Sequence, residues 1–114
     1  MDLTTGQNLI KQKKFSEALN YFLKLNDQNY NNFEINFYLG RVYSELQNYS
    51  SSIKHYKNSI EINTNSIGSL INLAILYQNI GDKNNSTIYF KKVIKANKKF
   101  IQAYYGLYLS LIHI

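Results

Sequence analysis

The sequence has no cysteine and no proline, and only seven acidic residues accompany its thirteen basic ones. The lack of cysteine excludes disulfides and thiolate metal sites. The lack of proline suits a chain that is helical along nearly its whole length. No apolar run approaches the ~20 residues needed to span a bilayer, and no basic segment followed by an apolar run predicts a signal peptide. These absences favour a cytoplasmic protein that does not associate with a membrane.

The 114 residues are 45% hydrophobic and 18% charged, as is typical of one folded domain. The net charge of +6 is unevenly distributed, because six basic residues lie between Lys83 and Lys99 and no acid follows Asp82. Such a stretch can attract nucleic acid, but no arginine cluster or aromatic platform accompanies these lysines. We therefore interpret them as a solvated face and do not expect nucleic acid as a partner.

Residues of similar size recur every 34 positions along the chain. The small residues form one series at Gly6, Gly40 and Ala74, and another at Ala18, Ser52 and Ser86. The large residues form a series at Leu9, Tyr43, Tyr77 and Leu111, and another at Phe22, Tyr56 and Phe90. Each interval holds two apolar stripes of helical period. One antiparallel helix pair cannot bury both of its faces, so the pattern predicts a stack of such pairs.

The polar breaks between the stripes predict where the helices begin and end. The first helix is expected to end near Lys13, and the Asn-rich segment 26–32 is expected to be a turn. Helices are predicted over about 32–46 and 49–63, with Asn48 as the N-cap of the second. In the next interval Gly81-Asp82 predicts a helix stop followed by an N-cap. The inner positions of the third, fifth and seventh helices are predicted to include Leu39, Val42, Tyr43, Leu46, Leu70, Leu73, Tyr77, Ile80, Ala103, Tyr104 and Leu107.

Two intervals carry the elements of a known repeat signature: Leu39-Gly40, Tyr43, Ser52 and Tyr56, and then Leu73-Ala74, Tyr77, Ser86 and Phe90. This pattern resembles the tetratricopeptide repeat, whose signature is an aromatic, then Leu-Gly, Tyr, Ala, a second aromatic and finally Pro. The departures are the missing tryptophan and proline, Asn36 and Leu70 at the first aromatic position, serine for alanine twice, and Lys83 where an aromatic is usual. We expect these departures to loosen the packing without changing the fold.

The resemblance implies an all-α, right-handed superhelical stack of antiparallel helix pairs with about seven helices. It also implies a single domain over residues 1–114. The repeats would cover about 1–32, incomplete at its start, then 33–66 and 67–100, and the first helix of a further repeat would cover 101–114. A four-helix bundle is the structural alternative, but a bundle does not require the 34-residue register of both small and large residues.

No arrangement of residues predicts catalysis. The two histidines, His55 and His113, lie far apart in the sequence and without paired carboxylates, so we expect no metal. His55 is expected at the surface or at the edge of a groove. The acids are dispersed, and the single glycines form no phosphate-binding loop. We therefore expect a non-catalytic protein without a cofactor.

In the family, first helices line a concave groove that binds peptides or partner helices. By resemblance, the groove-facing positions of this chain are Phe37, Tyr38, Arg41, Ile71, Asn72, Ile75, Gln78, Tyr105 and Leu109. Aromatic anchors and amides at these positions would suit an apolar peptide or a helix. The alternative that these side chains pack between helices stays open, above all for Phe37 and Ile71. The slots of the family's carboxylate clamp hold Leu3, Gln7, Tyr38, Gly68 and Asn72, which do not support binding of a chaperone tail.

Two further expectations concern the context of the chain. The triplet Asn72-Leu73-Ala74 looks like repeats of protein O-linked glycosyltransferases, so the alternative function is the repeat region of a larger transferase. The segment from Ala103 to Ile114 carries no formally charged side chain. A terminal repeat usually presents a polar outer face. We therefore expect either a cut from a longer array or self-association through the helix at 101–114.

Overall fold

In the computed structural model, which describes residues 2–28 and 32–112, the chain is all α-helical. Seven helices and no strand occur among these residues. Their bounds are α1 Leu3–Lys11, α2 Phe15–Gln28, α3 Phe33–Glu45, α4 Tyr49–Ile62, α5 Ile67–Asn79, α6 Lys83–Ala96 and α7 Ile101–Ile112. The predicted all-α class and helix count are confirmed. The predicted turn covered residues 26–32. Its positions 29–31 lie outside the described residues, and its first three positions belong to α2 instead, because that helix continues to Gln28.

The chain forms two compact units, Met1–Thr64 with α1 to α4 and Asn65–Ile114 with α5 to α7. In the first unit α2 packs against α1 and α3, and α3 also packs against α4. In the second unit α6 packs against α5 and α7. In each unit the second helix of one repeat, α2 or α6, therefore lies against the first helix of its own repeat and against the first helix of the next repeat. This contact pattern allows a helical repeat to bury both faces of a helix pair.

The small residues of the 34-residue series are buried in the first unit, as are the aromatic rings of Phe22 and Tyr56, whereas Leu9 and Tyr43 are half-buried. Ala18, Phe22 and Leu39 have no exposed surface. A Cβ atom placed on Gly40 would lie 2.7 Å from Cδ1 of Tyr56, well inside van der Waals contact. The absence of a side chain at Gly40 thus allows α3 and α4 to approach with the Tyr56 ring between them.

Two serines of α4 bind the backbone of α3. Ser52 Oγ donates to the Gly40 carbonyl at 2.6 Å, and Ser59 Oγ donates to the Phe33 carbonyl at 2.8 Å. Ser59 lies seven residues after Ser52 in α4, and Phe33 lies seven residues before Gly40 in α3. The two helices are therefore antiparallel. Both serines are fully buried. Ser52 therefore contributes a hydrogen bond between α4 and α3 that alanine could not make.

The first helices end in the same way at three positions spaced 34 residues apart. Lys13, Gln47 and Gly81 all have positive φ, at 59°, 62° and 86°. The next amide bonds back across the helix end in each case, for example from Asn48 N to the Tyr43 carbonyl at 2.9 Å. This is the Schellman arrangement, in which a left-handed residue allows the chain to turn and satisfies the last carbonyls.

These helix ends explain one error in the predicted core. Leu46 and Ile80 occupy equivalent positions, and each is the C-cap of its helix, one residue before the left-handed residue. They are 38% and 43% exposed. Their prediction as inner residues is wrong because the helical period ends at the residue before them.

The predicted N-caps are confirmed. Asn48 accepts a hydrogen bond from Ser51 N at 3.3 Å, and Asp82 accepts one from Asn85 N at 3.1 Å. Hydrogen bonds from the side chain and backbone of Asn85 lower the pKa of Asp82. A charged carboxylate at this position also interacts favourably with the positive end of the α6 dipole.

The second unit repeats the close approach of a backbone to an aromatic ring. Gly106 of α7 lies so close to the Phe90 ring that an added Cβ would overlap it. Ala103 and Gly106 are the buried residues among the positions 101–109 of α7 whose side chains are described, whereas Tyr104 and Tyr108 are 46% and 59% exposed. The prediction of Tyr104 as an inner residue is therefore wrong. The helix packs through its smallest side chains.

Candidate functional site

The first helices of the first unit form a cavity of about 260 Å³ between α1 and α3. It is lined by Gln7, Ile10 and Lys11 from α1 and by Tyr38 and Arg41 from α3. Gln7 and Lys11 are four residues apart on one helix and Tyr38 and Arg41 are three apart on the other, so each pair projects from a single helix face. The cavity thus brings together two of the predicted binding residues, Tyr38 and Arg41.

The position of Tyr38 is fixed by contacts on two sides. Its hydroxyl accepts a hydrogen bond from Gln7 Nε2 across the cavity. Its ring stacks on Phe22, with centroids 5.2 Å apart and planes 10° from parallel. Stacked aromatic pairs add a modest stabilisation to the area that they bury. Tyr38 therefore presents a well-positioned polar edge to the cavity while its ring belongs to the packing.

Phe37 lies edge-on to Tyr38 at 5.1 Å and tilted against Tyr56 at 6.2 Å. It is half-buried. The sequence left open whether Phe37 packs between helices or faces the groove. One part of its side chain packs between α3 and α4, and the other part is accessible.

The cavity is positively charged. Lys11 and Arg41 both line it, and no acidic residue of the described ranges is among its lining residues. Neither cation forms an ion pair with a residue in the described part of the chain. An anionic group of a ligand would meet two cations and the Tyr38 hydroxyl there.

The predicted residues of the second unit have different environments. Ile71 is buried, at 7% exposure, which favours the packing alternative for this side chain. Gln78 Nε2 donates to the Gly106 carbonyl at 3.4 Å and so links α5 to α7. Asn72, Ile75 and Leu109 are half-buried and Tyr105 is 59% exposed, which leaves these four side chains available for contact.

The sequence predicted His55 at the surface or at the edge of a groove, and in the structure it lines a cavity. Its ring is half-buried and stacks on Tyr43 with centroids 5.5 Å apart. Its Nδ1 lies 2.9 Å from Oδ1 of Asn36, and Nδ2 of Asn36 donates to the Asn32 carbonyl at 3.0 Å. Because Asn36 therefore presents its oxygen to the ring, His55 carries its proton on Nδ1. Burial and then the charge of Lys54 lower the pKa of His55 below its usual value near 6.5.

Sequence reasoning missed Ile10 and Lys11 as lining residues, and it missed the contact between Asn36 and His55. A signal for the first two was present, because Gln7 and Lys11 lie one helical turn apart in the first repeat. No group of three or more His, Asp or Glu side chains suited to a metal occurs in the part of the chain that the structure describes. Within residues 2–28 and 32–112, no helix is both long and apolar enough to cross a membrane.

Comparison with known proteins places these features in a family. The family model described as "Tetratricopeptide repeat" matches residues 33–66 and 67–100, more than half of the chain. The chain belongs to the tetratricopeptide repeat family. A TPR repeat-containing protein of Methanocaldococcus jannaschii is 31% identical to this tetratricopeptide repeat chain over 107 residues, or 93% of it. The chain spans only 18% of the length of that relative.

Solved structures with the tetratricopeptide repeat fold superimpose on the chain at low sequence identity. The crystal structure of MamA has a TM-score of 0.90 at 19% identity, over 95% of this chain and 63% of that one. The second TPR domain of human RPAP3, in complex with an HSP70 peptide, has a TM-score of 0.86 at 16% identity, over 94% and 89%. The Yersinia enterocolitica chaperone SycD, in complex with a peptide of the translocator YopD, has a TM-score of 0.90 at 11% identity, over 96% and 88%. At these identities the likeness shows the fold alone.

Proposed function

We propose that this tetratricopeptide repeat chain is a non-catalytic interaction scaffold that binds a peptide or a partner helix along its first helices. The observation that carries the proposal is the cavity between α1 and α3, where Tyr38 and Arg41 lie together with Gln7, Ile10 and Lys11. RPAP3 and SycD, which share the fold, were solved with peptides bound. Their complexes support a peptide as the class of ligand.

The lining of the cavity defines the ligand that it would bind. Ile10 offers an apolar surface, while Lys11 and Arg41 offer positive charge that no acidic lining residue neutralises. A peptide with a carboxylate beside an aliphatic side chain is complementary to both. Arg41 can bind a carboxylate through two parallel N–H groups, which gives the contact direction as well as strength.

The fixed position of Tyr38 contributes to this proposal. A side chain that is already held by Phe22 and Gln7 loses little freedom when a ligand binds. In the second unit, considered by itself, we propose Asn72, Ile75 and Tyr105 as further contact residues. Asn72 would bond the peptide backbone, and Tyr105 would provide aromatic contact area.

An array of short acidic, basic and apolar peptides tests the proposal. Wild-type protein should bind acidic peptides that contain an aliphatic residue, and Arg41→Gln should weaken the best of them by about tenfold or more, as expected for loss of a charge-assisted hydrogen bond. Lys24→Gln removes an equal charge from an exposed position of α2 that does not line the cavity, and should leave binding unchanged. Equal binding by wild type and Arg41→Gln, or a preference for basic peptides, would contradict the assignment.

We also propose that α7 associates with a second copy of the chain. Ile101 and Tyr105 are 79% and 59% exposed, and no charged side chain follows Lys99 in the sequence. Exposed apolar residues on one helix favour association in water. The expected product is a dimer, and its mass in solution tests the proposal.

A further inference from the structure

A second, larger cavity of the first unit has no role in the proposed peptide contact. Its volume is about 530 Å³, and it lies between α2, α3 and α4. Among its lining residues are Asn26, Asn36, Lys54, His55, Asn58 and Glu61. We call it the polar pocket. No residue of the polar pocket lines the cavity between α1 and α3.

The floor of the polar pocket contains a residue that departs from the family signature. Asn36 stands where that signature has an aromatic, and the equivalent residue of the next repeat is Leu70. Asn36 is 2% exposed, and both ends of its amide are bonded, to the Asn32 carbonyl and to His55 Nδ1. A small polar side chain thus replaces a large ring, and it fixes the histidine tautomer whose Nε2 is a hydrogen-bond acceptor.

One further acceptor of the pocket lacks a partner among the described residues. Asn26 Oδ1 is buried and accepts no hydrogen bond from any residue in the described ranges. Leaving a buried acceptor without a partner costs free energy. Because this oxygen has almost no exposed surface, it can reach a ligand only if the amide turns. A ligand that offers an N–H group would supply the missing hydrogen bond after that turn.

The remaining lining residues add charge and a further amide on one face of α4. Lys54, Asn58 and Glu61 are four and three residues apart, so they project from neighbouring turns. Asn58 makes no side-chain hydrogen bond within the described part of the chain, and neither Lys54 nor Glu61 makes an ion pair there. The carboxylate of Glu61 is therefore available to a ligand.

We propose that the polar pocket binds the guanidinium group of an arginine side chain from a partner polypeptide. A guanidinium carries five N–H donors in one plane and no acceptor. The pocket offers the complementary set, namely the Glu61 carboxylate for a two-bond contact, His55 Nε2, and the amide oxygens of Asn26 and Asn58. The lowered pKa of His55 supports this arrangement, because a neutral ring keeps Nε2 free to accept. Among the lining residues that the structure describes, Lys54 is the one cation, and it opposes the ligand's charge.

This arrangement makes predictions of opposite sign for the two charged residues. Glu61→Gln should weaken binding by about tenfold or more, since a charge-assisted pair is lost. Lys54→Gln should tighten binding by about twofold, since one exposed like charge is removed. Both side chains are exposed, so neither change disturbs the core. Glu45→Gln is the matched control, because it removes the same charge from an exposed residue that does not line the pocket.

The test is a titration of the full chain with N-acetyl-arginine N-methylamide, followed through the side-chain amide signals of Asn26 and Asn58 in nuclear magnetic resonance spectra. Saturable shifts at these signals, weakened by Glu61→Gln and unchanged by Glu45→Gln, are the expected result. The corresponding citrulline derivative has nearly the same shape without the charge and should not saturate the shifts. Free arginine adds a carboxylate that Lys54 would attract. If free arginine binds and the N-acetyl N-methylamide derivative does not, the ligand of the pocket is a free amino acid, and the proposal of a partner polypeptide fails.

Other outcomes would also overturn the proposal. Shifts that do not saturate, equal binding of the citrulline derivative, or weaker binding by Lys54→Gln would each contradict recognition of a guanidinium at this pocket. The site is independent of the cavity between α1 and α3, so Arg41→Gln should leave the arginine titration unchanged. That variant separates failure of this inference from failure of the proposed peptide contact.

Discussion

Replacing Ser52 by leucine places a large side chain at the crossing of α3 and α4. Ser52 has no exposed surface, and its hydroxyl donates to the Gly40 carbonyl at 2.6 Å. Leucine would lose this hydrogen bond, at a cost of about 1 kcal/mol. It would also overpack the crossing, which typically costs about 1–3 kcal/mol. We therefore expect the free energy of unfolding to fall by about 2–4 kcal/mol, a large fraction of the 5–15 kcal/mol typical of a domain.

Ser52→Ala separates the two contributions. It removes the hydrogen bond without overpacking, and alanine recovers up to about 0.5 kcal/mol through its higher helix propensity. The expected net loss for Ser52→Ala is thus small, about 0.5 kcal/mol. Urea unfolding followed by circular dichroism measures both variants, and Ser50→Ala, at an exposed position of the same helix, is the control. An unfolding midpoint for Ser52→Leu equal to that of wild type would refute the register of α3 against α4.

Three further predictions use the same measurements or equally simple ones. Gln47→Gly should raise stability and Gly81→Ala should lower it, each by up to about 1 kcal/mol in urea unfolding, because glycine adopts positive φ without strain. A Cβ at Gly81 would contact nothing, so an unchanged midpoint for Gly81→Ala would exclude conformational strain at this turn. The His55 imidazole takes up a proton near pH 6.5 in the unfolded chain and only at lower pH in the folded one, so the free energy of unfolding should fall as pH decreases through 6.5. Urea unfolding across pH 5–8 should show a smaller fall for His55→Gln than for wild type. Wild type should sediment as a dimer and Ile101→Lys as a monomer in the analytical ultracentrifuge, whereas a monomeric wild type would eliminate self-association through α7.

The helices could be predicted from the sequence because each interval repeats the same sizes at the same positions. Asn48 and Asp82 could be predicted as N-caps because short polar side chains favour that position. The approximate ends of α1, α3 and α5 could be predicted, but only Gly81 indicated that a residue after the helix adopts positive φ. Lys13 and Gln47 adopt the same left-handed conformation, but their side chains give no sign of it, since the hydrogen bonds of the helix end impose it.

The candidate site could be predicted only in part for a related reason. Tyr38 and Arg41 follow from the repeat register, because they project from a first helix between its packing residues. Their neighbours Gln7 and Lys11 come from a different helix, about one repeat earlier in the sequence. The hydrogen bond between Asn36 and His55 could not be predicted either. Periodicity predicts which helix face a residue occupies, but it does not predict which polar side chain will be its hydrogen-bond partner.

The packing of each helix against its neighbours along the chain has a consequence for the kinetics of folding. Among the described residues, contacts between helices join elements that are adjacent or next but one in sequence. Only short loops must therefore close before native contacts form, and chains of this kind fold within microseconds to milliseconds. Folding can begin in either unit, because each has its own helix contacts. Hydrogen exchange should consequently be slowest in α3, which contacts α1, α2 and α4.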